Sequence, residues 1–403
     1  MSLHVLLWYS AGIRRHSQTV SGVSVPSMPA NFPLLIKPAS YLCNLRCAHC
    51  FYLPGKEPDS GKGAPKMTEK TLRRLVRTYL ELPLEQHMFI WQGGEPTLMG
   101  KQFYVQAAKL QKQFRPAGGV VGNCLQTNAT LLTPDFSSFL ARNDFLVGVS
   151  IDGPAELHDI YRIYAAQKGS HARVMENYRM LDRDGVKVNA LTLLTSRNIA
   201  RAAEIFHWLA DRGIRFQQYI PCVEFEPDGA PRPWTVDPKA WGEALCALFD
   251  AWWAERGRVS VRYFDALLHT LHTGRPGICH MGEACGQYVV VEHNGDLYPC
   301  DFFVKEEWKL GNIHTTAWPE LWEHPRHLAF SRAKSELPQA CRDCPWLRLC
   351  RGDCQKHRCA AGTPERSRSW LCEGYRAFFA HAMPKLRTLF PAAGEGEPPG
   401  HTR

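Results

Sequence analysis

The chain has 403 residues, 45% of them hydrophobic, with 15 cysteines and a formal net charge of +9. A chain of this length buries sizeable cores and reads as two domains, and cysteines clustered at metal-ligand spacings point to thiolate ligands in a reducing compartment, the cytoplasm, and away from a small disulfide-stapled secreted domain. No apolar run approaches the about 20 residues that cross a bilayer, and the basic residues are spread along the chain instead of forming an arm for nucleic acid or membrane.

Residues 1–31 read as a flexible N-terminal extension. Its apolar run at 3–9 precedes Arg14, Arg15 and His16, which reverses the charge order of a secretory signal, and Met28 is an alternative initiator. From Pro33 onward short apolar runs alternate with helical patterns, the mark of repeated βα units and a parallel sheet. Strands are expected at 34–37, 88–92, 123–126, 146–151, 188–194 and 216–220. Helices are expected at 69–80, 102–114, 134–142, 172–184 and 199–211, with Thr68 and Thr133 as start signals. The fold class is therefore α/β, with a partial (βα)6 barrel over residues 32–223.

In such barrels the functional groups sit at the carboxyl ends of the strands. Strand one leads into a cysteine loop, strand two into Gln92-Gly93-Gly94-Glu95-Pro96, strand three into Gln126-Thr127-Asn128, and strand four into Ser150-Ile151-Asp152-Gly153-Pro154. Loops built only for turning need Gly, Pro or Asn, not this recurring set of carboxylates and amides. Residues 224–275 form a connector: a Pro, Glu and Asp-rich stretch at 224–238, an amphipathic helix at 241–253, and a strand or extended bridge at 259–264. A small cysteine-rich domain follows at 276–386, and 387–403 is a Gly, Pro and Glu-rich tail expected to be disordered.

Cys43, Cys47 and Cys50 can hold only three corners of a four-iron cluster, which would leave one iron without a protein ligand. An open metal site of that kind binds a small molecule, whereas a closed cluster mainly passes electrons. A zinc knuckle with His49 as fourth ligand is the alternative, although zinc sites favour two C-x2-C pairs and no second pair lies nearby. The second cysteine field comprises Cys279, Cys285, Cys300, Cys341, Cys344, Cys350, Cys354, Cys359 and Cys372. Without Cys359, eight thiolates remain, enough for two closed clusters, and zinc is the rival on spacing alone. Cys124, Cys222, Cys246 and Cys359 read as small buried side chains.

The C-x3-C-x2-C spacing resembles that of the radical S-adenosylmethionine enzymes, and the order C-x5-C-x14-C, C-x2-C-x5-C-x3-C and a final cysteine resembles the SPASM domain. The segments at 35–40, 92–97 and 145–148 join Arg262-Tyr263-Phe264-Asp265 and Cys300-Asp301-Phe302 in a resemblance to the anaerobic sulfatase-maturating enzymes, from about Phe32 to about Leu386. That resemblance implies oxidation of a sulfatase cysteine or serine to Cα-formylglycine, with three [4Fe-4S] clusters and S-adenosylmethionine as cofactors. It implies Cys279, Cys285, Cys300 and Cys354 on one auxiliary cluster and Cys341, Cys344, Cys350 and Cys372 on the other. His49, Gly94, Glu95, Ser150, Arg162 and Val223 match the family's cofactor contacts. The implied partners are a sulfatase segment of the Cys/Ser-x-Pro-x-Arg type and an electron donor such as flavodoxin or ferredoxin.

Two positions depart from the family pattern: His49 stands where a larger aromatic is usual, and Ala129 where a glycine commonly follows Gln-Thr-Asn. Asp301 reads either as a turn aspartate or, following Cys300 directly, as the proton acceptor beside an electron acceptor, which such an oxidation requires. Two other functions stay open: a SPASM enzyme that crosslinks a small peptide, and a zinc-stapled module for an anionic partner.

Overall fold

The computed structural model describes residues 28–52, 64–361 and 368–389. Residues 1–27 of the expected extension, residues 390–403 of the expected tail and the side chain of Cys359 lie outside what it describes. Seven parallel strands run side by side in chain order: β1 (Leu34–Lys37), β2 (Gln86–Trp91), β3 (Val120–Thr127), β4 (Leu146–Ser150), β5 (Lys187–Leu194), β6 (Phe216–Pro221) and β7 (Ser260–Val261). Helices α1 (Glu69–Leu80), α2 (Gly100–Phe114), α3 (Pro134–Arg142), α4 (Ala155–His158), α5 (His171–Arg183) and α6 (Ala202–Asp211) supply the crossovers that parallel strands require, as far as β6.

The alternation of side chains along a strand divides the sheet into two faces. Phe89, Trp91, Leu125, Val147 and Val149 join the main core with the helices, while Met88, Ile90 and Cys124 form a separate cluster with Leu146 beside it. Thr68 and Thr133 cap their helices, accepting from the backbone N–H of Thr71 at 3.1 Å and of Phe136 at 3.3 Å. No described helix is long and apolar enough to cross a membrane.

One element differs from expectation. The segment at 259–264 is strand only at Ser260–Val261, and α8 (Arg262–Thr273) begins at once after it. The β-propensity of Tyr263 and Phe264 yields to packing, because a helix carries Phe264 and Leu267 into the core together. Phe264 there lies 5.5 Å from Phe249 and 5.1 Å from Trp252, both on α7 (Pro238–Glu255).

The cysteine-rich part is built onto the barrel itself. Strand β8 (Val289–Glu292) pairs in parallel with β1 in the register Leu34↔Val289 to Lys37↔Glu292, and β9 (Asp296–Tyr298) and β10 (Gly311–Asn312) extend the sheet antiparallel. The result is one ten-stranded sheet in the order β10-β9-β8-β1-β2-β3-β4-β5-β6-β7. The β8–β9 turn, with Gly295 at φ 90°, returns the chain so that Cys300 and Asp301 follow β9.

The C-terminal helix Cys372–Arg387 closes the molecule against α7. Their backbones meet at two glycines: a Cβ on Gly242 would lie 2.7 Å from the Gly374 Cα, and one on Gly374 2.7 Å from the Gly242 nitrogen. Gly374→Val is accordingly expected to lower stability by about 1–3 kcal/mol through overpacking. Anaerobic denaturant unfolding measures this as a lower midpoint, and an unchanged midpoint would show that the helices separate freely.

Candidate active site

The expected barrel motifs converge at the carboxyl ends of β1 to β4. After β1 the chain passes Ser40, at φ 48°, into the cysteine loop, which lies directly on the turn after β2. Gly94 N–H donates to the Ser40 carbonyl and Glu95 N–H to the Leu42 carbonyl, each at 2.7 Å. A side chain at Gly94 would fall on the carbonyls of Leu42 and Tyr41, so only glycine admits this approach. The other side of the loop is tied down where Arg46 N–H donates to Ile163 O at 2.8 Å and Asn44 Nδ2 to Thr130 Oγ1 at 2.8 Å.

Within this loop Cys43, Cys47 and Cys50 are electrostatic neighbours, and Cys43 Sγ accepts from Leu45 N–H at 3.3 Å. Burial pushes the Cys43 thiol up to about 11 and the Cys47 thiol up to about 12, and the neighbouring thiols push in the same direction. Neighbouring thiols of which two are raised by burial give up their protons to a cationic centre, which an iron cluster would supply, and the donor set fits one. Among the described residues no three His, Cys, Asp or Glu side chains converge on a point that would hold a single metal ion. A cubane takes one thiolate at each of three separate irons, so the two observations agree.

Glu95 is fully buried and its carboxylate is spent inside the protein. Oε1 accepts from Thr97 N (2.9 Å), Thr97 Oγ1 (2.5 Å) and Thr127 Oγ1 (2.7 Å), and Oε2 accepts from Asn128 N (2.7 Å). It braces the ends of β2 and β3 against each other, with the Gly93-Gly94 edge fixed in front of the cysteines. Ala129, which follows, is buried at φ 59°, a left-handed conformation that explains why glycine is the usual residue there.

Arg162 forks onto Asp152, Nε to Oδ2 at 2.5 Å and Nη2 to Oδ1 at 3.0 Å, and Leu193 N–H also donates to Oδ1 at 2.8 Å. Burial raises the Asp152 carboxyl, but the Arg162 guanidinium more than reverses this and leaves it below its ordinary range. Arg162 also lies near the Cys47 and Cys50 thiols. His49 is buried with no hydrogen-bond partner for Nε2 among the described residues, its ring edge-on to Tyr161 at 5.2 Å, and burial holds it neutral with a pKa lowered to about 4. Ser150 ends β4, half-buried, and Val223 lies buried just after β6.

Asp301 joins the barrel to the cysteine-rich part. Its Oδ2 accepts from the hydroxyl of Tyr52, which follows the cysteine loop, and at 2.9 Å from Nε2 of Gln92, the residue just after β2. Its Oδ1 has no hydrogen-bond partner among the described residues and faces Lys37 Nζ at 3.8 Å. Lys37 is itself paired at 2.6 Å with Glu292, its register partner on β8, and stands 4.7 Å above the Tyr52 ring. Burial keeps the Asp301 carboxyl above its ordinary range despite the Lys37 charge. Gln92 and Lys37 lie inside motifs read from the sequence without being singled out, Tyr52 lies two residues past Cys50, and Glu292 carries no signal beyond an apolar run.

The eight auxiliary cysteines fall into two groups. Cys279, Cys285 and Cys300 all act electrostatically on Cys354. Cys341, Cys344, Cys350 and Cys372 share one solvent-open cavity with Trp346 and Phe379 on its wall. Cys124 and Cys222 are buried, whereas Cys246 is only half-buried on α7.

The sequence matches the family model described as the Radical SAM superfamily over residues 38–209, and the one described as an iron-sulfur cluster-binding domain, SPASM, over 279–345. A cysteine-type anaerobic sulfatase-maturating enzyme of Clostridium perfringens is 34% identical across 88% of this chain and 96% of its own length. This chain belongs to that family. A serine-type anaerobic sulfatase-maturating enzyme of Bacteroides thetaiotaomicron is likewise 34% identical, across 88% of this chain and 90% of its own. The solved structure described as native anSMEcpe with bound AdoMet and Kp18Cys peptide aligns at a TM-score of 0.83 and 34% identity, covering 89% of this chain and 99% of that one. The enzyme is a radical S-adenosylmethionine oxidoreductase of sulfatase maturation, with iron–sulfur clusters and S-adenosylmethionine as cofactors, and the crosslinking and zinc-module readings give way.

Proposed function

We propose that residues 32–223 form the radical-generating half, 224–275 the connector and 276–386 the electron-accepting half of an enzyme that oxidises a cysteine or serine of a Cys/Ser-x-Pro-x-Arg segment to Cα-formylglycine. The observation that carries this reading is Asp301, adjacent to Cys300 in one half and hydrogen-bonded to Tyr52 from the other. Cys43, Cys47 and Cys50 would hold the cluster with the open iron, and Cys279/Cys285/Cys300/Cys354 and Cys341/Cys344/Cys350/Cys372 the two closed ones. Once bound, cluster and S-adenosylmethionine would supply the 5′-deoxyadenosyl radical chemistry needed to remove a Cβ hydrogen atom from the target residue.

The protein's own residues arrange the rest. Gly94 leaves room for the methionine end beside the cysteine loop, Glu95 fixes that edge, and Arg162 presents a cation whose direction Asp152 sets. His49, Ser150 and Val223 border the nucleoside. Tyr52 and Gln92 hold Oδ2 of Asp301, which leaves Oδ1 to take the thiol or hydroxyl proton. The first electron comes from a carrier such as flavodoxin or ferredoxin, in keeping with the +9 charge. So many thiolate ligands suit the reducing cytoplasm.

Asp152→Asn is expected to weaken S-adenosylmethionine binding about 10- to 100-fold, as removal of a ligand-orienting partner does. Anaerobic calorimetric titration measures it, and wild-type affinity would remove Asp152 from this role. The function itself is tested by anaerobic incubation of the reconstituted enzyme with S-adenosylmethionine, a reductant and peptides bearing each target segment. Mass measurement should show two hydrogens lost from serine, or two hydrogens lost and sulfur exchanged for oxygen in cysteine. Formation of 5′-deoxyadenosine with both peptides unchanged would reject sulfatase maturation.

A further inference from the structure

Only Arg351, Gly352 and Asp353 separate Cys350 of one auxiliary group from Cys354 of the other. All three have positive φ, at 47°, 70° and 58°, a left-handed run that carries a local cost for residues with side chains. Two cations hold it there. Lys334 Nζ donates to the carbonyls of Arg351 and, beside Cys279, of His280, each at 2.9 Å, and also to the carbonyl of Asp353. Arg358 donates from Nε to the Gly352 carbonyl at 2.7 Å, from Nη2 to that of Arg351 at 3.2 Å, and from Nη1 to that of Lys334 at 3.0 Å. Every carbonyl of the connecting tripeptide is turned onto a cation. A side chain at Gly352 would collide with the Arg358 guanidinium.

Both side chains are completely buried. Lys334 uses three acceptors, which only the protonated ammonium can serve, and a guanidinium does not deprotonate. The buried carboxylate of the same loop, Asp353, turns instead to His357 and Ser369, at 2.7 Å each. One carboxylate, Asp353, acts on Lys334, so of the two positive charges held out of water at least one is unfavourable unless a further anion lies near. A cluster closed by four thiolates is such an anion. Lys334 senses the Cys285 and Cys354 thiols, and Arg358 acts on Cys285 of one group and Cys341 of the other.

We propose that Lys334 and Arg358 are the shared counter-charges of the two auxiliary clusters, positioned between them to raise both reduction potentials. The inference rests on the reading of the two cysteine groups as cluster ligands. It bears on the step in which the substrate radical, having lost a Cβ hydrogen atom and its thiol or hydroxyl proton, gives up one electron to become the thioaldehyde or aldehyde. That electron adds one negative charge to an oxidised auxiliary site, and nearby fixed cations favour the reduced form.

The test is an EPR-monitored redox titration of the anaerobic full-length holoenzyme, without S-adenosylmethionine or peptide, for wild type, Lys334→Met, Lys334→Arg, Arg358→Gln and Arg358→Lys. The charge-removing variants should lower the reduced-to-oxidised ratio of the auxiliary signals at least tenfold at fixed potential, about 59 mV for a one-electron couple. The charge-keeping variants and the N-terminal cluster should titrate as in wild type. Unshifted potentials in the charge-removing variants, with iron retained, would overturn the proposal. Loss of auxiliary iron from those variants alone supports it, since charge is then what keeps the clusters in place. Equal loss from charge-keeping and charge-removing variants would reduce both residues to packing. Wild-type enzyme without auxiliary iron would instead defeat the reading of the cysteine groups, and the inference with it.

Discussion

Replacing Asp301 with asparagine should leave 5′-deoxyadenosine formation within about twofold of wild type while lowering aldehyde formation by about 100- to 10,000-fold, the range that a positioned proton acceptor contributes. Asparagine keeps the size of the side chain and can still accept from Tyr52 or Gln92, so the surroundings have no cause to collapse. It cannot take a thiol or hydroxyl proton, and it leaves Lys37 paired with Glu292 alone. Anaerobic turnover with a target peptide, followed by chromatography of the nucleoside and mass measurement of the peptide, separates the two effects. Wild-type yields of modified peptide from Asp301→Asn would assign the proton to another acceptor.

A second large effect is expected at Cys47, the most deeply buried thiol of the N-terminal loop. Cys47→Ala should abolish 5′-deoxyadenosine formation and remove about four irons per chain while about eight remain at the auxiliary sites. The same substitution at Cys341 should reverse the pattern, leaving nucleoside formation in place and removing iron from the solvent-open cavity that this thiol lines. Iron analysis beside a single-turnover cleavage assay reads both outcomes. Detectable cleavage from Cys47→Ala would mean that the loop's three thiolates are not the cluster's corners.

The sequence makes the barrel legible because each βα unit is local: an apolar run, a turn and a helical stripe, in two units with a capping threonine between them, fall within a few tens of residues. The positions of the cysteine loop, of Gly94 and of Asp152 follow from their place at the ends of strands. What stays hidden is non-local. Nothing in the run at 289–292 announces that it pairs with β1, since parallel pairing across most of the chain leaves no neighbouring turn to mark it. Lys37 therefore reads as a polar strand end until Glu292 and Asp301 are brought against it. Glu95 reads as a cofactor contact because the motif surfaces in the sequence but its four internal donors do not. The start of the helix at Arg262–Thr273 falls inside the expected strand or bridge at 259–264 because aromatic and β-branched residues favour strands wherever tertiary burial does not decide otherwise.

The pairing of β8 with β1 also governs how this chain can be made. While the ribosome is still synthesising the middle of the protein, β1 has β2 on one side and an open backbone edge on the other, apolar and ready to accept any extended segment. That edge closes only after residues 289–292 emerge, so a stalled or truncated product ending in the connector would expose a template for self-association. Completion of the barrel thus waits for the part that carries Cys300 and Asp301, a distant pairing of the kind that costs loop-closure entropy before it is rewarded.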